Sequence, residues 1–373
     1  MESDNKKKRL KINGRLIFNV LVFGITIYLI IYFFVSENGM IDLFKSPDNF
    51  NFVWIIVGII VYYTNILFDT FVTMIFIRSK YPDFRFIDSL KVAMVGVFFG
   101  AVTPSNTGGQ PMQLYLMSKM NVSVGFGSAC MTQKFIVYQI LNGIISVLAI
   151  IIKFDYFKTA FTGIWSSLFI IFGFLTQLIV TALFLVVSFS HKLTSKLIRL
   201  LDRLMHKIKF IKNPDDKIKS LTEQVEIFHD GNKMLFDNPK MMVGIYVLVF
   251  LQILTILSIP YFVYLSFDLH TIAIANSQVP LTLFDTVCIQ SFVLFTSNLV
   301  PLPGASGGAE LAFNMYFGSF FVFGDVNKIK PAILLWRFIT YYGAIIITAP
   351  FSYLTRGKKV DDVLQKELDN NDS

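Results

Sequence analysis

The sequence contains few of the residues from which catalytic and metal sites are usually built. Asp, Glu, Lys and Arg together make up only 16% of the 373 residues, and there are two cysteines and four histidines. Hydrophobic residues make up 54% of the chain, which is more than a soluble domain of this length normally buries. We therefore predict that the bilayer is the solvent of this protein.

The scarce reactive residues are also poorly placed for catalysis. Cys130 and Cys288 lie within apolar runs, which indicates buried, inert thiols rather than a disulfide framework or a metal site. The sequence shows no Ser/His/Asp or Cys/His arrangement and no cluster of metal ligands. It predicts no cofactor, no metal and no catalysis by this chain alone. All four histidines lie outside the predicted spans: His191, His206, His229 and His270.

Long apolar stretches predict an all-α, polytopic transmembrane bundle. About 20 residues of helix cross the roughly 30 Å hydrocarbon core of a bilayer. Two apolar regions, 90–118 and 281–322, are interrupted near their middle by Pro and Gly, and they predict broken or re-entrant helices. Six complete crossings are predicted, at about 16–35, 53–77, 127–152, 164–188, 241–267 and 331–354.

The net charge of +8 indicates orientation rather than nucleic-acid binding, because the basic residues cluster beside the spans without a nucleic-acid-binding signature. The region 16–35 is interpreted as a retained signal anchor, since it has no small-residue cleavage site. On this topology one broken helix enters from the cytoplasm and the other from outside, which is the inverted arrangement of many carriers. Basic loops at 1–15, 78–91, 191–219 and 356–359 predict the cytoplasmic side, which holds both termini, and loops at 36–52 and 268–280 predict the outer side.

The predicted organisation has two transmembrane halves joined by a basic linker. Leucine and isoleucine recur in the linker at helical spacing, which predicts either an amphipathic helix on the inner leaflet or a solvated helical linker. Asn213-Pro214-Asp215 divides it from a second helix at 217–236. The parts are a basic cytoplasmic N-terminus at 1–15, the first half at 16–189, the cytoplasmic linker at 190–239, the second half at 240–355 and a polar cytoplasmic tail at 356–373.

A Pro-x-x-Ser/Thr-Gly-Gly motif occurs once in each broken helix. It reads Pro104-Ser105-Asn106-Thr107-Gly108-Gly109-Gln110 in the first and Pro303-Gly304-Ala305-Ser306-Gly307-Gly308-Ala309-Glu310 in the second. Further along, Lys134-Phe135-Ile136-Val137-Tyr138 is matched by Arg337-Phe338-Ile339-Thr340-Tyr341. Two matched elements in the same order predict an internal repeat.

The motif also predicts a binding site. Proline removes a backbone donor, and the glycines allow unusual backbone angles, so the helix stops there and can restart after the Gly pair. Within a bilayer, non-helical backbone is tolerated only inside protein or along a watery cavity. A helix N-terminus in such a cavity favours an anion. The plainer alternative is that the breaks only bend helices for packing.

Four ionisable residues, Asp69, Lys134, Glu310 and Arg337, lie within apolar runs, where charge is costly and usually faces a pathway or a partner. Lys134 and Arg337 suit a phosphate head group, and Arg337 can bind it through two hydrogen bonds. The alternative for each cation is to reach the interface. Asp69 is predicted to counter one of them, or to bond Tyr62, Tyr63 or Asn65. The predicted substrate-binding residues are Pro104, Thr107, Gly108, Gly109, Gln110, Lys134, Pro303, Ser306, Gly307, Gly308, Glu310 and Arg337.

With these motifs the sequence resembles the lysylphosphatidylglycerol synthase transmembrane family, also called flippase-like membrane proteins. Residues 301–310 are similar to the family's proline, glycine and glutamate signature, and the other motifs follow in order over roughly residues 10–355. The resemblance implies a domain that moves phospholipid or a related lipid between leaflets, fused in some members to an aminoacyl transferase. Gln110 stands where the family often has an acidic residue. The second break, with Glu310, is therefore where the functional site is predicted.

The leading hypothesis is a translocator of lysylphosphatidylglycerol or another anionic or modified lipid in a bacterial plasma membrane. One alternative is a secondary transporter of a small soluble anion or amino acid. Another is a membrane component of lipid aminoacylation, associated with cationic peptide resistance, which needs a separate synthase chain because the tail after residue 355 is too short for a transferase. A fourth is an accessory protein without transport activity. The expected partner is membrane phospholipid, not nucleic acid.

Overall fold

The computed structural model describes residues 51–160, 164–207, 213–297, 300, 302–324 and 326–352, together with Gly24. These residues, Gly24 apart, belong to one compact unit, Pro47–Ser373. A short antiparallel pair, β1 (Val322–Phe323) and β2 (Val326–Asn327), lies among helices. The helices are α1 (Phe52–Arg78), α2 (Phe86–Ala101), α3 (Gly109–Ser118), α4 (Val124–Ile152), α5 (Phe154–Ala160), α6 (Ile164–Phe189), α7 (His191–Lys207), α8 (Pro214–Phe236), α9 (Pro239–Ser266), α10 (Leu269–Ala275), α11 (Leu283–Ser297), α12 (Gly308–Phe317), α13 (Ile329–Arg337) and α14 (Gly343–Ser352).

Four helical segments of the described chain are long and apolar enough to cross a membrane: α1, α4, α9 and the continuous stretch Ile329–Ser352. They coincide with the predicted crossings at 53–77, 127–152, 241–267 and 331–354. Helix α6 covers the predicted crossing at 164–188, and the predicted crossing at 16–35 lies outside the described residues. Apolar side chains such as Ile56, Ile144 and Val247 are exposed on these helices, as expected where lipid is the solvent. The prediction of an all-α, multi-pass membrane protein is confirmed.

The centre of the bundle is formed by α1 packed along α9, with α4 and α11 beside them. Polar groups on this interface are paired: Asn65 Nδ2 donates to the carbonyl oxygen of Gln252 at 2.7 Å. Cys130 and Cys288 are both buried and unpaired, which agrees with the predicted inert thiols.

The first predicted broken helix is a hairpin of α2 and α3. Helix α3 runs back along α2, because Gly109 lies against the carbonyl oxygen of Gly96 and Gln113 Nε2 donates to the carbonyl oxygen of Val92 at 3.2 Å. A Cβ atom on Gly109 would lie 2.7 Å from the Gly96 oxygen, so this close approach requires glycine. A helix that turns back on itself has the form of a re-entrant element.

The second broken helix consists of α11 and α12, which also pack against each other. Both elements restart slightly earlier than predicted, at the second glycine of the motif rather than after the pair. Glycine fits there because it has no side chain to place in the crowded first turn of the helix. A 3-10 turn, Gly318–Phe320, follows α12 and leads into the β1–β2 pair.

The linker forms two helices, α7 and α8. Helix α7 begins directly after α6 at a bend of 91° between Leu175–Phe189 and His191–His206. Helix α8 begins at Pro214, three residues before the predicted start, because proline suits the first turn of a helix, where its missing N–H needs no partner. Asn213, just before it, has the left-handed backbone of a turn residue.

Candidate functional site

The two breaks have the same backbone conformation. In the first, Ser105 and Asn106 have φ values of 50° and 60°, and in the second, Gly304 and Ala305 at the matching positions have φ values of 59° and 52°. Two successive left-handed residues are rare, and for residues other than glycine they are strained. Their recurrence directly after each proline shows that the motif folds in the same way twice.

Hydrogen bonding in the two breaks also matches. Thr107 Oγ1 donates to the carbonyl oxygen of Pro104 at 2.8 Å, and Ser306 Oγ donates to that of Pro303 at 2.9 Å. The hydroxyl residue of the motif thus closes the turn in both halves. The helices that follow, α3 and α12, each have 10 residues. The sequence repeat is therefore also a structural repeat.

The two breaks meet each other. Pro104 and Pro303 form an isolated antiparallel β-bridge. Because the bridge pairs equivalent residues of the repeat in opposite directions, the two breaks are related locally by two-fold symmetry, as expected of inverted repeats. Residues that are far apart in the sequence are thereby brought to one place within the bundle.

The repeats differ at one amide. Gly108 N–H donates to Thr103 Oγ1 at 2.8 Å, whereas the matching Gly307 N–H donates to Glu310 Oε2 at 2.7 Å. Gly307 has a φ of 84°, which places it in a region that only glycine adopts readily. A carboxylate in the second break thus takes the place of a neutral hydroxyl in the first.

Glu310 is also the partner of Arg337. Arg337 Nε lies 2.8 Å from Glu310 Oε1, and the arginine side chain is 6% exposed against 32% for the glutamate. The guanidinium stacks over the ring of Tyr341 at 4.5 Å, with Trp336 and Tyr342 at 5.9 Å each. Aromatic faces attract a cation, so these rings stabilise the buried charge.

The hydrogen-bonding capacity of Arg337 is not used up by this pair. The Nε and Nη2 atoms have no hydrogen-bond acceptor among the described residues, because the close contact to Glu310 does not have hydrogen-bond geometry. A guanidinium has five N–H donors, and leaving buried donors without acceptors is costly. A group with several anionic oxygens would satisfy them. Arg337 therefore has the chemistry of an anion site.

Tyr341 connects Arg337 to both breaks. Its hydroxyl donates to the carbonyl oxygen of Ala101, just before the first break, at 3.1 Å. Its ring lies against Gly304 in the second break, where a Cβ atom would come within 2.3 Å of it. The residues Phe338–Tyr342 form a π-helical turn, a local widening often found at functional sites.

The structure places Lys134 in a different cluster. Its Nζ atom lies 3.1 Å from Asp69 Oδ1 and 3.2 Å from Thr73 Oγ1, both on α1. Gln252 Nε2 of α9 donates to Asp69 Oδ1 at 3.2 Å. Asp69 thus faces Lys134 rather than Arg337, and no hydrogen bond within the described ranges joins Lys134 to either break.

The remaining predicted site residues line the two breaks. Pro104, Thr107 and Gln110 are exposed, Gly108 is half-buried and Gly109 is buried. In the second break Pro303, Ser306 and Gly308 are half-buried, whereas Gly307 is exposed. The first break carries no charged side chain in its motif, so the charged pair lies only at the second.

Comparison with known proteins shows the family of this chain. The model of the family described as the lysylphosphatidylglycerol synthase TM region matches residues 17–348, which include both breaks and Arg337. The chain belongs to this lysylphosphatidylglycerol synthase TM family. It is also similar to a UPF0104 membrane protein of Archaeoglobus fulgidus, with 27% identity over 293 residues, which are 73% of this chain and 77% of the relative. No solved structure matches.

Sequence reasoning missed two buried polar groups in this member of the lysylphosphatidylglycerol synthase TM family. Gln290 in α11 is fully buried, and neither its Nε2 nor its Oε1 atom has a partner in the described part of the chain. Trp336 Nε1, next to Arg337, is likewise buried without an acceptor there. A glutamine in an apolar run was a visible signal, whereas the tryptophan was not.

Two cavities of this family member lie away from the breaks. One, of about 210 Å³, is lined by the ion pair of Lys153 with Asp285 and by Tyr156, Val279, Pro280, Ile289 and Phe320. The other, of about 440 Å³, is a shallow depression along α7. Neither is lined by Arg337 or Glu310.

Proposed function

We propose that this chain is a lipid translocator that moves a phosphate-bearing phospholipid between the leaflets of a bacterial plasma membrane, with both termini in the cytoplasm. Membership of the lysylphosphatidylglycerol synthase TM family supports a membrane protein connected with lipid metabolism. The lipid specificity proposed is an anionic or aminoacylated phospholipid, since these carry the phosphodiester that the site can bind.

The observation that carries the proposal is the guanidinium of Arg337. It is buried beside a helix break, and its Nε and Nη2 atoms have no hydrogen-bond acceptor among the described residues. Charged groups within a membrane bundle are usually retained for a ligand or a pathway. Phosphodiester oxygens match the planar, forked donors of arginine better than they match the single ammonium of lysine.

The surroundings of Glu310 favour a lipid over a soluble anion. Large apolar side chains next to the second break, Leu302, Leu311 and Met315, are exposed at 50%, 68% and 41%. An anionic head group that approaches Arg337 from this side keeps its acyl chains against an apolar surface. A small hydrophilic anion gains nothing from such surroundings.

Glu310 is placed to exchange with the head group. Its carboxylate occupies the guanidinium and the Gly307 amide at the same time. When a phosphodiester binds Arg337, the carboxylate is free to turn toward an ammonium group or toward water. Because Arg337 is occluded, the helices flanking the Pro104–Pro303 contact open alternately to the two leaflets in this proposal.

The test is a leaflet-exchange assay in proteoliposomes. Fluorescently labelled phosphatidylglycerol, phosphatidylethanolamine and phosphatidylcholine are each monitored by a membrane-impermeant quencher, for the wild type and for Arg337→Ala, Arg337→Lys and Glu310→Gln. We expect Arg337→Ala to slow exchange about tenfold or more, and Arg337→Lys to restore only part of it. Arg85→Ala, which removes an exposed arginine paired with Asp88, serves as the matched control and should exchange lipid normally.

Two results would contradict the proposal. If no labelled lipid exchanges faster than in protein-free vesicles while a small anion such as phosphate is taken up in an Arg337-dependent way, the protein is a solute transporter. If neither process occurs with well-folded protein, the chain is a non-transporting component. The same vesicles supplied with a soluble aminoacyl transferase test the role of a membrane partner in lipid aminoacylation.

A further inference from the structure

Helix α7 leaves the bundle sideways. The end of α6, Leu175–Phe189, and the start of α7, His191–His206, meet at 91° with only Ser190 between them. Helix α6 covers the predicted crossing at 164–188, and a helix at right angles to such a crossing runs along the bilayer rather than through it. The direction of α7 is therefore that of a surface helix.

This direction is held by α8. His229 on α8 contacts both sides of the bend: Nδ1 lies 3.1 Å from the carbonyl oxygen of Ser188, and Nε2 lies 2.8 Å from Thr194 Oγ1. The ring of His229 also stacks on that of His191 at 3.9 Å. A buried side chain that bridges α6 and α7 fixes the angle between them.

Helix α8 is in turn anchored to α4. Gly125 N–H donates to Gln224 Oε1 at 2.7 Å, and Gln133 Nε2 donates to Asn232 Oδ1 at 2.9 Å. Helix α4 has 29 residues, which at 1.5 Å per residue is about 43 Å and exceeds the roughly 30 Å hydrocarbon core. Its first turn, where Gln224 binds Gly125, therefore extends toward the head groups, and Gln133 lies deeper. Helix α8 is thus attached to the end of α4 that is nearest one membrane surface.

The surface of α7 has three stripes. Thr194, Ile198 and Met205 are buried or half-buried, and Thr194 contacts His229 of α8. Four leucines form a second stripe that is exposed at 44–52%: Leu197, Leu200, Leu201 and Leu204. The third stripe is basic and exposed, and it includes Lys192, Lys196, Arg199 and Arg203. The exposed leucines are thus not the residues that attach α7 to the protein.

We infer that α7 is an interfacial helix, which inserts its exposed leucine stripe at the acyl boundary of the bilayer and places its basic stripe among anionic phospholipid head groups. Apolar residues bordered by Lys and Arg are the usual composition of helices that lie in this layer. The shallow depression of about 440 Å³, lined by His191, Lys192, Ser195, Lys196 and Arg199, can receive a phosphate group.

Charge and geometry favour an anionic membrane over the other possible occupants of the leucine stripe. A solvated helix would leave four leucines in water, and a second copy of the chain would have to bring acidic residues to the basic stripe. The bilayer that α6 crosses is already adjacent, and its anionic lipids attract basic residues near its surface. This attraction weakens as ionic strength rises.

The experiment measures the depth of α7 in lipid nanodiscs. Cys130 and Cys288 are replaced by Ala, and an environment-sensitive fluorophore is attached through Leu200→Cys, Leu204→Cys or Ser195→Cys. The nanodiscs contain phosphatidylcholine alone or mixed with phosphatidylglycerol, together with lipids that carry a quencher on the upper part of the acyl chain. We expect quenching at 200 and 204 to exceed that at 195 by about twofold or more, and to increase with phosphatidylglycerol.

Charge variants provide the control. Lys196→Gln/Arg199→Gln should remove the increase caused by phosphatidylglycerol, whereas Lys217→Gln/Lys219→Gln, which removes two exposed lysines of α8, should not. Equal quenching at 195, 200 and 204 in both lipid mixtures would show a solvated helix and overturn the inference. Lipid-independent thiol cross-linking of two copies through residue 200 would also overturn it, because the leucine stripe would then be an interface between copies.

Discussion

The hydroxyl of Tyr341 donates a hydrogen bond to the carbonyl oxygen of Ala101, 240 positions away in the sequence. Ala101 ends α2, so its carbonyl is one of those that a helix terminus leaves without an intrahelical partner. The same tyrosine stacks on Arg337 and covers Gly304. One side chain thus links the charged site to both helix breaks.

We predict that Tyr341→Phe separates these roles. It removes only the hydroxyl, leaves the Ala101 carbonyl without its donor and should lower the free energy of unfolding by about 1 kcal/mol. Tyr341→Leu also removes the stacked ring and should lower the free energy of unfolding by a further amount of about 1–2 kcal/mol. Thermal unfolding in detergent micelles, followed by tryptophan fluorescence, measures both. Equal midpoints for wild type and Tyr341→Phe would show that the hydrogen bond does not contribute.

A glycine series should rank by local geometry. Gly304→Ala combines a left-handed backbone with a Cβ placed 2.3 Å from the Tyr341 ring, and it should be the most destabilising. Gly307→Ala strains a backbone with a φ of 84° but has no neighbouring atom within 4 Å, and it should cost about 1–2 kcal/mol. Gly143→Ala, within α4 and without close neighbours, should be neutral or stabilising by up to about 1 kcal/mol. Any other order in the unfolding midpoints contradicts this prediction.

The Lys134–Asp69 pair should behave as a coupled unit. Lys134→Met alone leaves the Asp69 carboxylate partly buried with only neutral partners, and we expect a loss of about 2–4 kcal/mol. Adding Asp69→Asn removes the uncompensated charge and should recover part of this loss. A double-mutant cycle on unfolding measures the coupling, and additive effects of the two substitutions would contradict a direct pair.

A substitution of Gln290 should stabilise the protein, whereas the substitution of Lys134 should destabilise it. Gln290→Leu replaces a fully buried amide whose two polar atoms have no described partner, and it should stabilise the protein by about 1–3 kcal/mol. The matched control is Gln113→Leu, which removes a buried glutamine that does donate a hydrogen bond, to Val92, and should destabilise. If Gln290→Leu is more stable yet exchanges lipid more slowly, the amide serves transport at the expense of stability.

Two histidines of the α7–α8 pair should affect stability with opposite pH dependence. Burial, and then the neighbouring His191, lowers the pKa of His229, although Asp230 acts against this. The folded state therefore disfavours protonated His229. The contribution of neutral His229 to the stability of the fold is complete above the unfolded pKa of about 6.5 and is lost as the pH falls below that value. His229→Gln should remove this loss on acidification.

The pKa of His206 is raised, first by its hydrogen bond to the backbone of Asp202 and then by the charges of Asp202 and Asp215. The stability that it contributes is present below the unfolded pKa of about 6.5 and is lost as the pH rises through the raised value. Unfolding midpoints measured between about pH 5 and 8 for wild type, His229→Gln and His206→Gln check both signs. Parallel curves for all three proteins would contradict the assignment.

The parts of the fold that depend on local composition could be predicted from sequence. Crossings such as 53–77 and 241–267 are fixed by the length of helix that a bilayer requires, and the structure has helices there. The repeat could be recognised because each Pro-x-x-Ser/Thr-Gly-Gly motif carries its own turn chemistry. The two left-handed residues after each proline were seen only in the structure.

The partners of the charged residues could not be predicted in the same way. Lys134 and Arg337 occupy matching places in the repeated motif, yet one pairs with Asp69 on α1 and the other with Glu310 on α12. Which acid faces which cation depends on how distant helices pack, and a repeat in sequence does not determine this. For the same reason the sequence indicated Tyr341 only as a repeated residue, not as a link between the halves.

The contact between Pro104 and Pro303 has a mechanical consequence. Proline has no N–H, so neither of these residues can donate a hydrogen bond to the other. The backbone hydrogen bonds of an antiparallel bridge between two prolines therefore come from the residues that flank them. Separating the two halves at this point breaks only those flanking hydrogen bonds, because the two prolines at the centre contribute none.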